Sequence, residues 1–226
     1  MLEVLRKEIK YIIPIERFLV LEKRLNLMMK KDSYGDDGKY TVRTQYFDSI
    51  NDQDLFDNLH GVEEKRKIRV RIYSPDAKTA KLEYKCKSNI DGRKMSLIIS
   101  RAEAIEMEKG RFDFLLNREE NLAKQLYVKI MKNAYRPKTI VEYNRMAFTY
   151  PVSDLRITFD TSLRATVDPY GLFNEKLASI PLLNEDLGVL EVKYTGLIPS
   201  PFRHIVDEID NIPEGISKYS LSRLLI

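Results

Sequence analysis

The stretch KRKIRVRIYSPDAKTAKLEYKCK, residues Lys65–Lys87, decides the fold. Side chains two residues apart share one face of a β-strand, so Lys65–Tyr73 places four cations on one face and a nearly apolar row on the other. Ser74-Pro75-Asp76 has the composition of a turn, and Ala80–Lys87 repeats the division into a charged and an apolar face. This pattern predicts two strands of a sheet that is charged on one side.

Two more segments, Arg6–Lys10 and Val189–Thr195, divide in the same way. One interpretation is that each charged row is the solvent side of an ordinary sheet, although such a side usually includes small polar residues. If the sheet instead closes into a barrel with the charged rows inside, its interior becomes a basic tunnel for a polyanion, because arginine and lysine bind phosphate well. The four charged rows are Lys65, Lys67, Arg69 and Arg71; Lys81, Glu83, Lys85 and Lys87; Glu191, Lys193 and Thr195; and Arg6, Glu8 and Lys10.

Length and composition limit the classes of function. The chain has 226 residues, which suits one domain over 1–226, and its 43% apolar and 32% charged residues are typical of a globular protein. The single cysteine excludes an internal disulfide and a cysteine-rich zinc site, and two histidines leave little for an imidazole cluster. There is no apolar run of membrane-spanning length and no signal-peptide core, so we expect a cytoplasmic protein.

The remaining periodicities predict a β-rich chain with helical insertions, and therefore the α+β class. Ser100 and Glu103 have the spacing of a capping box, which predicts a helix from there to about Glu108. Asp91-Gly92 predicts a hairpin turn, after which Lys94–Ile99 returns antiparallel. The other predicted strands are Lys7–Ile13, Tyr40–Asp48, Ile140–Thr149, Leu155–Thr161 and Val189–Thr195, and the other predicted helices are Ile15–Lys31 with Pro14 as its first residue, Glu119–Ala134 and Ser200–Asp210.

Eight motifs, taken in order, carry a family resemblance. They are RKEIKY (Arg6–Tyr11), VRTQYFDS (Val42–Ser49), KRKIRVRIY (Lys65–Tyr73), KLEYKCK (Lys81–Lys87), VEYNRMAF (Val141–Phe148), LRITFD (Leu155–Asp160), VLEVKY (Val189–Tyr194) and SKYSLSR (Ser217–Arg223). On these motifs the chain resembles the VTC domain of the vacuolar transporter chaperone family, within the triphosphate tunnel metalloenzymes, and is most similar to its bacterial polyphosphate polymerase members. The resemblance implies a closed eight-stranded antiparallel β-barrel with helices packed outside and at the C-terminus.

The resemblance also implies an activity, the transfer of the terminal phosphate of ATP to a polyphosphate chain, assisted by Mn²⁺ or Mg²⁺. It places a metal ligand at Glu191. Strand alternation adds Lys87 and Lys193 as phosphate contacts and Glu8 as a second carboxylate for the metal. The phosphate-binding residues carried over by resemblance are Lys10, Arg69, Arg71, Lys85, Arg145 and Lys218.

The chain departs from the eukaryotic members at two places. Asp52–Gly61 has no lysine or arginine, and Leu221 stands where those members often have a second lysine, for which Arg223 is our candidate replacement. These differences bear on polymerase activity more than on phosphate binding. Two alternatives therefore stay open, a tripolyphosphatase or nucleoside triphosphatase, and a non-catalytic module that binds polyphosphate or inositol phosphates. We expect no nucleic-acid partner, and any coupling to transport would require another, membrane-bound protein.

Overall fold

A computed structural model describes residues 6–35, 38–88, 91–209, 212–213, 215 and 217–225. The fold is α+β. The strands are β1 (Arg6–Pro14), β2 (Lys30–Lys31), β3 (Lys39–Asp48), β4 (Lys65–Ile72), β5 (Thr79–Ser88), β6 (Asp91–Ser100), β7 (Arg136–Thr149), β8 (Arg156–Thr166), β9 (Ser179–Pro181) and β10 (Leu187–Thr195). The helices are α1 (Ile15–Met28), α2 (Gln53–Leu59), α3 (Arg101–Glu108), α4 (Asn121–Lys132), α5 (Ser200–Asp207) and α6 (Lys218–Leu225), with a 3₁₀ turn at Asp113–Leu115.

The strands form one sheet in the order β1-β10-β8-β7-β3-β4-β5-β6, with β2 paired to β7 and β9 paired to β8. Every pairing whose register is described is antiparallel. The main path has the eight strands that the resemblance implies, and the two additional strands are only two and three residues long. Within the described residues no hydrogen-bonded pairing joins β1 to β6, so ladder pairing does not close the sheet into a barrel.

The chain forms two compact units, and each has an apolar core of its own. The first unit comprises 1–41, 143–163 and 183–216. Its core joins the apolar rows of β1, β8 and β10 to helices α1 and α5, and Phe18 of α1 stacks on Phe159 of β8 with the ring centroids 3.7 Å apart. The predicted alternation is confirmed here, because Leu190 and Val192 are buried in this core.

The second unit comprises 42–142, 164–182 and 217–226. The apolar rows of β4 and β5 are buried against helices α3 and α4, with Ile68, Val70 and Leu82 wholly inaccessible to solvent. Burial of such a side chain contributes about 1.5–3 kcal/mol, so the apolar rows hold the strands in a register that leaves the charged rows on the opposite face.

The helix boundaries follow local capping. Ser100 Oγ accepts a hydrogen bond from the Glu103 N–H at 3.2 Å, and Glu103 Oε2 accepts one from the Ser100 N–H at 2.7 Å, which confirms the predicted capping box. Helix α1 ends at Met28 rather than at Lys31, because Lys30 and Lys31 pair with β7 instead. Pro14 precedes this helix as its N-cap and is not its first residue.

Strand β6 returns antiparallel to β5 as predicted, but Asp91 and Gly92 do not form the turn. Asp91 pairs with Ser88 and Gly92 with Lys87, so both predicted turn residues belong to β6, and residues 89–90 lie outside the described part. Helix α2 and the start of β7 at Arg136 were not predicted from the sequence. None of the helices in the described part of the chain combines the length and apolar run that crossing a membrane requires.

Candidate functional site

The first unit carries a cluster of charges on the paired strands β1 and β10. Their register places Lys10 opposite Glu191 and Glu8 opposite Lys193. Lys10 Nζ lies 2.7 Å from Glu8 Oε1 and 3.8 Å from Glu191 Oε2. Lys193 Nζ lies 3.4 Å from Glu8 Oε2 and also contacts Glu191 Oε1. The structure thus brings four of the predicted residues together, with two ammonium groups balancing two carboxylates.

Glu191 is the most buried member of this cluster, with 7% of its side chain exposed. Burial by itself would raise the pKa of Glu191, and the neighbouring Glu8 carboxylate acts in the same direction. Lys193 and Lys10 outweigh both, so the pKa of Glu191 is lowered. The carboxylate is therefore charged at neutral pH and can serve as an oxygen ligand.

Arg145 of β7 forms a forked ion pair with Asp160 of β8. Arg145 Nε donates to Asp160 Oδ1 at 2.6 Å, and Nη2 donates to Oδ2 at 2.7 Å. Burial would lower the pKa of Arg145, but Asp160 and Tyr143 raise it well above its ordinary value. Asp160 was missing from the predicted set, although a signal was present, because it shares a strand face with the polar residues Arg156 and Thr158.

Thr158 extends the polar face of the first unit. It lies opposite Glu191 in the pairing of β8 with β10, and it is 2% exposed. Its hydroxyl has no hydrogen-bond partner among the described residues. Because an unpaired buried hydroxyl costs about 1–3 kcal/mol, this atom favours a polar ligand beside Glu191.

The carboxylates of the first unit fit a metal ion that is shared with a phosphate ligand. No three histidine, cysteine, aspartate or glutamate side chains in the described ranges are grouped so that they could hold a metal by themselves. Mg²⁺ typically binds through one or two carboxylates together with water and phosphate oxygens, and Mn²⁺ favours similar oxygen ligands. Glu191 and Glu8, which contact the same two lysines, would supply the two carboxylates.

The second unit holds a cluster of its own, centred on Glu83 of β5. Arg69 of β4, which lies opposite Glu83 in the register, donates from Nε to Oε2 at 2.7 Å. Arg71 Nη1 lies 3.6 Å from the same oxygen, and Lys94 Nζ of β6 contacts Oε1. Among the described side chains, three cations surround one carboxylate and leave an excess of two positive charges, which favours the binding of an anion.

Glu83 fixes the positions of these cations. It is 1% exposed, and burial alone would raise its pKa, but Arg69, Arg71 and Lys94 lower the pKa of Glu83 to about 2. The carboxylate therefore stays charged at physiological pH. Lys94 was missing from the predicted set because its strand face, which it shares with Ser96, is not uniformly charged.

Side chains of β3 support the two arginines of β4. Arg71 Nε donates to Thr44 Oγ1 at 3.3 Å, and Arg69 Nη1 donates to the Tyr46 hydroxyl at 3.5 Å. The Tyr46 ring stacks on that of Tyr219 in α6, with the centroids 5.2 Å apart. Both arginine residues are less than a tenth exposed, so these contacts hold their side chains in defined positions before any ligand binds.

The other predicted lysines of this unit lie on β4, β5 and α6. Lys85 lies opposite Lys67 in the register of β4 and β5, and Lys67 Nζ donates to Ser217 Oγ at 2.7 Å. Lys218 is half-buried at the first position of α6. The side chain of Lys87 lies outside the described part of the structure.

Arg223 occupies an ion pair of its own. Its Nη1 and Nη2 donate to the two carboxylate oxygens of Asp52 at 2.9 and 3.1 Å, and Lys138 Nζ lies 2.8 Å from Asp52 Oδ1. Burial would raise the pKa of Asp52, but both cations outweigh it and lower that pKa. A phosphate ligand at Arg223 would therefore compete with a charged carboxylate.

Asp48, a residue missing from the predicted set, joins α2 to α6. Its carboxylate accepts hydrogen bonds from the N–H groups of Ser49, Asp54 and Leu55 at 2.7–2.9 Å, and from the Tyr219 hydroxyl at 2.6 Å. Asp48 is fully buried, and two of these donors belong to the first turn of α2, whose dipole also favours a negative charge. The contact with Tyr219 places the ring that supports the arginine cluster.

Asp54 lies beside Asp48 and behaves differently. Its Oδ2 accepts a hydrogen bond from the Tyr135 hydroxyl at 2.8 Å. Burial and the Asp48 charge raise the pKa of Asp54 to about 6, although Tyr135 and Arg66 partly oppose the rise. Asp54 therefore gains a proton in mildly acidic solution.

Three comparisons bear on identity. The family model described as the VTC domain matches residues 5–225. Comparison with curated proteins gave no match. Solved structures also resemble the chain over nearly its whole length, among them the following two. One, described as a "putative adenylate cyclase" from Bacillus halodurans, has a TM-score of 0.56 at 14% identity and covers 93% of each chain.

The second structure is described as a "putative adenylyl cyclase" from Hippeastrum that reveals a dominant triphosphatase activity. It has a TM-score of 0.58 at 12% identity, covering 98% of this chain and 96% of that one. At these identities the two structures show a shared fold.

Proposed function

The chain belongs to the VTC domain family, and from that premise we propose that it is a polyphosphate polymerase-type phosphotransferase. It would move the terminal phosphate of ATP onto a polyphosphate chain within the closed triphosphate tunnel that the family resemblance implies. ATP, the donor, is abundant in the cytoplasm, where we place the activity.

The observation that carries the proposal is the cluster around Glu83. Its excess of two positive charges is built from side chains that are already oriented, because Arg69 and Arg71 are buried and bonded to Glu83, Thr44 and Tyr46. Oriented cations of this kind stabilise a phosphoryl group without reorganising during the reaction.

We assign roles from charge and placement. In the second unit, Arg69, Arg71 and Lys94 would bind phosphate oxygens while Glu83 keeps their spacing. In the first unit, Lys10 and Lys193 would bind phosphate oxygens beside Glu191. Lys85, Lys87, Arg145, Lys218 and Arg223 complete the proposed phosphate-binding set.

A divalent ion held by Glu191 and Glu8 would neutralise negative charge on the phosphate oxygens. We propose Mn²⁺ or Mg²⁺. The chain itself needs no nucleophile, because the reaction consists of displacement at phosphorus. An oxygen of the acceptor polyphosphate bonds to the γ-phosphorus of ATP, and the bond between that phosphorus and its bridging oxygen breaks, so that ADP leaves.

The second candidate is a tripolyphosphatase or nucleoside triphosphatase. Water in place of the acceptor turns the same displacement into hydrolysis, and the Hippeastrum relative is described as having a dominant triphosphatase activity. Two missing basic residues also favour this candidate. Eukaryotic members tend to have a lysine where this chain has Leu221 and a basic residue in the segment that corresponds to Asp52–Gly61, which here has no lysine or arginine. A non-catalytic module for polyphosphate or inositol phosphates is the third candidate.

Purified protein incubated with ATP, Mn²⁺ and a short polyphosphate primer tests the proposal. We expect the primer to lengthen on a gel, with one ADP released for each phosphate added. Release of orthophosphate without lengthening would refute the polymerase assignment in favour of hydrolysis. Binding of tripolyphosphate with no turnover under any divalent metal would support the non-catalytic module.

Glu191→Gln separates catalysis from binding. The amide keeps the size of the side chain but removes the charge that suits a metal, so we expect turnover to fall by at least about tenfold while tripolyphosphate binding is retained. Glu185→Gln, at an exposed position of the same unit, is the matched control and should leave turnover unchanged. Equal turnover by Glu191→Gln and the wild type would contradict a metal role for Glu191.

A further inference from the structure

The second unit also has a basic groove on the side of the sheet away from the charged rows. The groove, with a volume of about 580 Å³, lies between helix α4 and the start of β4. Four of its seven lining residues are cationic and none is acidic. The lining consists of Arg66, Lys124, Gln125, Val128, Lys129, Lys132 and Asn133.

Helix α4 supplies two parallel stripes of the lining, in which residues recur every four positions. The stripes are Lys124, Val128 and Lys132, and Gln125, Lys129 and Asn133. Lys124 and Lys132 are the two ends of the first stripe and lie about 12 Å apart along the helix axis, given a rise of about 1.5 Å per residue. Both are exposed. Lys129 stands in the second stripe, half-buried, with Nζ 5.4 Å from the centre of the Tyr84 ring. The groove therefore presents an extended row of cations.

Arg66 completes the groove from the sheet. It lies between Lys65 and Lys67 on β4 but points to the opposite face, as strand alternation requires. Glu64 Oε2 lies 4.0 Å from Arg66 Nη2, which is a weak contact at an exposed site. The groove thus lies at the N-terminal end of β4, where the charged row on the opposite face also begins.

Favourable interactions with the dipole of α4 do not explain all four cations. Lysines in the last turn of a helix interact favourably with its dipole, which accounts for Lys129 and Lys132. Lys124 is only three residues from the helix start, where the dipole disfavours a cation, and Arg66 comes from another element. What the four residues share is the groove.

We propose that this groove binds inorganic polyphosphate outside the charged rows. The inference rests on the proposed function, because polyphosphate is the product of the proposed polymerase. A row of cations in a lining that includes no acidic residue complements a polyanion that carries charge at every repeat. Single-stranded nucleic acid is less well matched, because it usually stacks its bases on exposed aromatic rings and no aromatic residue is part of the lining.

The double variant Lys124→Gln/Lys132→Gln tests the groove. Affinity for long-chain polyphosphate and for tripolyphosphate is measured by calorimetry on the full chain at several salt concentrations. We expect the variant to bind the long chain about tenfold more weakly, with a shallower salt dependence, and to retain its affinity for tripolyphosphate. Lys78→Gln/Lys176→Gln, an exposed pair in the same unit with the same change of charge, is the matched control and should bind both ligands as the wild type does. Lys124→Arg/Lys132→Arg should restore long-chain binding.

Three results would overturn the inference. They are unchanged long-chain affinity in the glutamine variant, equal weakening by the control pair, and tighter lysine-dependent binding of polyglutamate or single-stranded DNA than of polyphosphate. Tripolyphosphate binding reports separately on the proposed function. If the wild type bound no tripolyphosphate and had no activity, the proposed function would fail, while lysine-dependent binding of the long chain would still support the groove.

Discussion

Replacing Glu83 by glutamine should destabilise the protein in a way that disappears at low pH. Glutamine mimics the protonated side chain. The free energies of unfolding of the variant and the wild type should therefore differ by how much more readily Glu83 ionises in the folded state than in the unfolded state. Its pKa falls from an ordinary 4.5 to about 2. At roughly 1.4 kcal/mol per pKa unit, the charged carboxylate contributes about 3 kcal/mol to the free energy of unfolding. Because Glu83 is 1% exposed, solvent screening removes little of this contribution.

The sign of the pH dependence follows from the direction of the shift. A carboxylate whose folded pKa is depressed stabilises the protein above its unfolded pKa, and that stability is lost as the pH falls through the folded pKa. The difference between wild type and Glu83→Gln should therefore be full above about pH 5 and vanish as the pH approaches about 2.

Urea unfolding of both proteins, followed by circular dichroism at several pH values, measures this difference. Glu175→Gln, at an exposed position of the same unit, is the control and should change the free energy of unfolding by no more than about 0.5 kcal/mol. A constant difference between wild type and Glu83→Gln across the pH range would refute the assignment, since it would mean that charge at Glu83 does not hold the arginine cluster.

Three further substitutions test other parts of the structure. Asp160→Asn breaks the buried fork to Arg145 and should cost about 3 kcal/mol in urea unfolding; a cost below about 1 kcal/mol would contradict a buried pair. Tyr219→Phe keeps the ring but removes the hydroxyl bonded to Asp48, and should cost about 1–3 kcal/mol, measured as a lower Tm. Asp54→Asn should show the opposite pH dependence to Glu83→Gln. Because the pKa of Asp54 is raised to about 6, the wild type loses stability as the pH rises from about 4 to 6. The variant has no such carboxyl group and should become more stable relative to the wild type over that range. An unchanged difference in stability between pH 4 and pH 7 would contradict the raised pKa.

Strand alternation was predictable because it depends only on the two-residue repeat of an extended chain. The charged and apolar rows of β4, β5 and β10 appear in the structure as the sequence indicated, and the apolar rows are buried. The capping box at Ser100 was predictable for a similar reason, since its two hydrogen bonds span three residues.

Elements that depend on distant contacts were predicted less well. Helix α2 has no strong local signal, and its first turn is held by Asp48 and, through that carboxylate, by Tyr219, which lies 171 residues away. Lys30 and Lys31 continue the helical pattern of α1, yet they pair with β7 because that strand supplies backbone partners.

The candidate site shows the same division. Residues in the charged rows, such as Arg69, Arg71, Glu191 and Lys193, stand out by strand alternation, although the roles of the first three came from the family resemblance. Lys94 and Asp160 lie outside those rows, and each meets its partner only across a neighbouring strand.

The sequence by itself determined that each charged row lies opposite an apolar row, because side-chain direction in a strand follows from covalent geometry. It also carried the motifs of the VTC domain family. Only the tertiary structure decided how the charges are balanced, with Glu8 and Glu191 neutralising Lys10 and Lys193 in the first unit and three cations exceeding Glu83 in the second. The physical reason is that an ion pair depends on distances of a few ångströms between strands, and strand register is set by packing and pairing far along the chain.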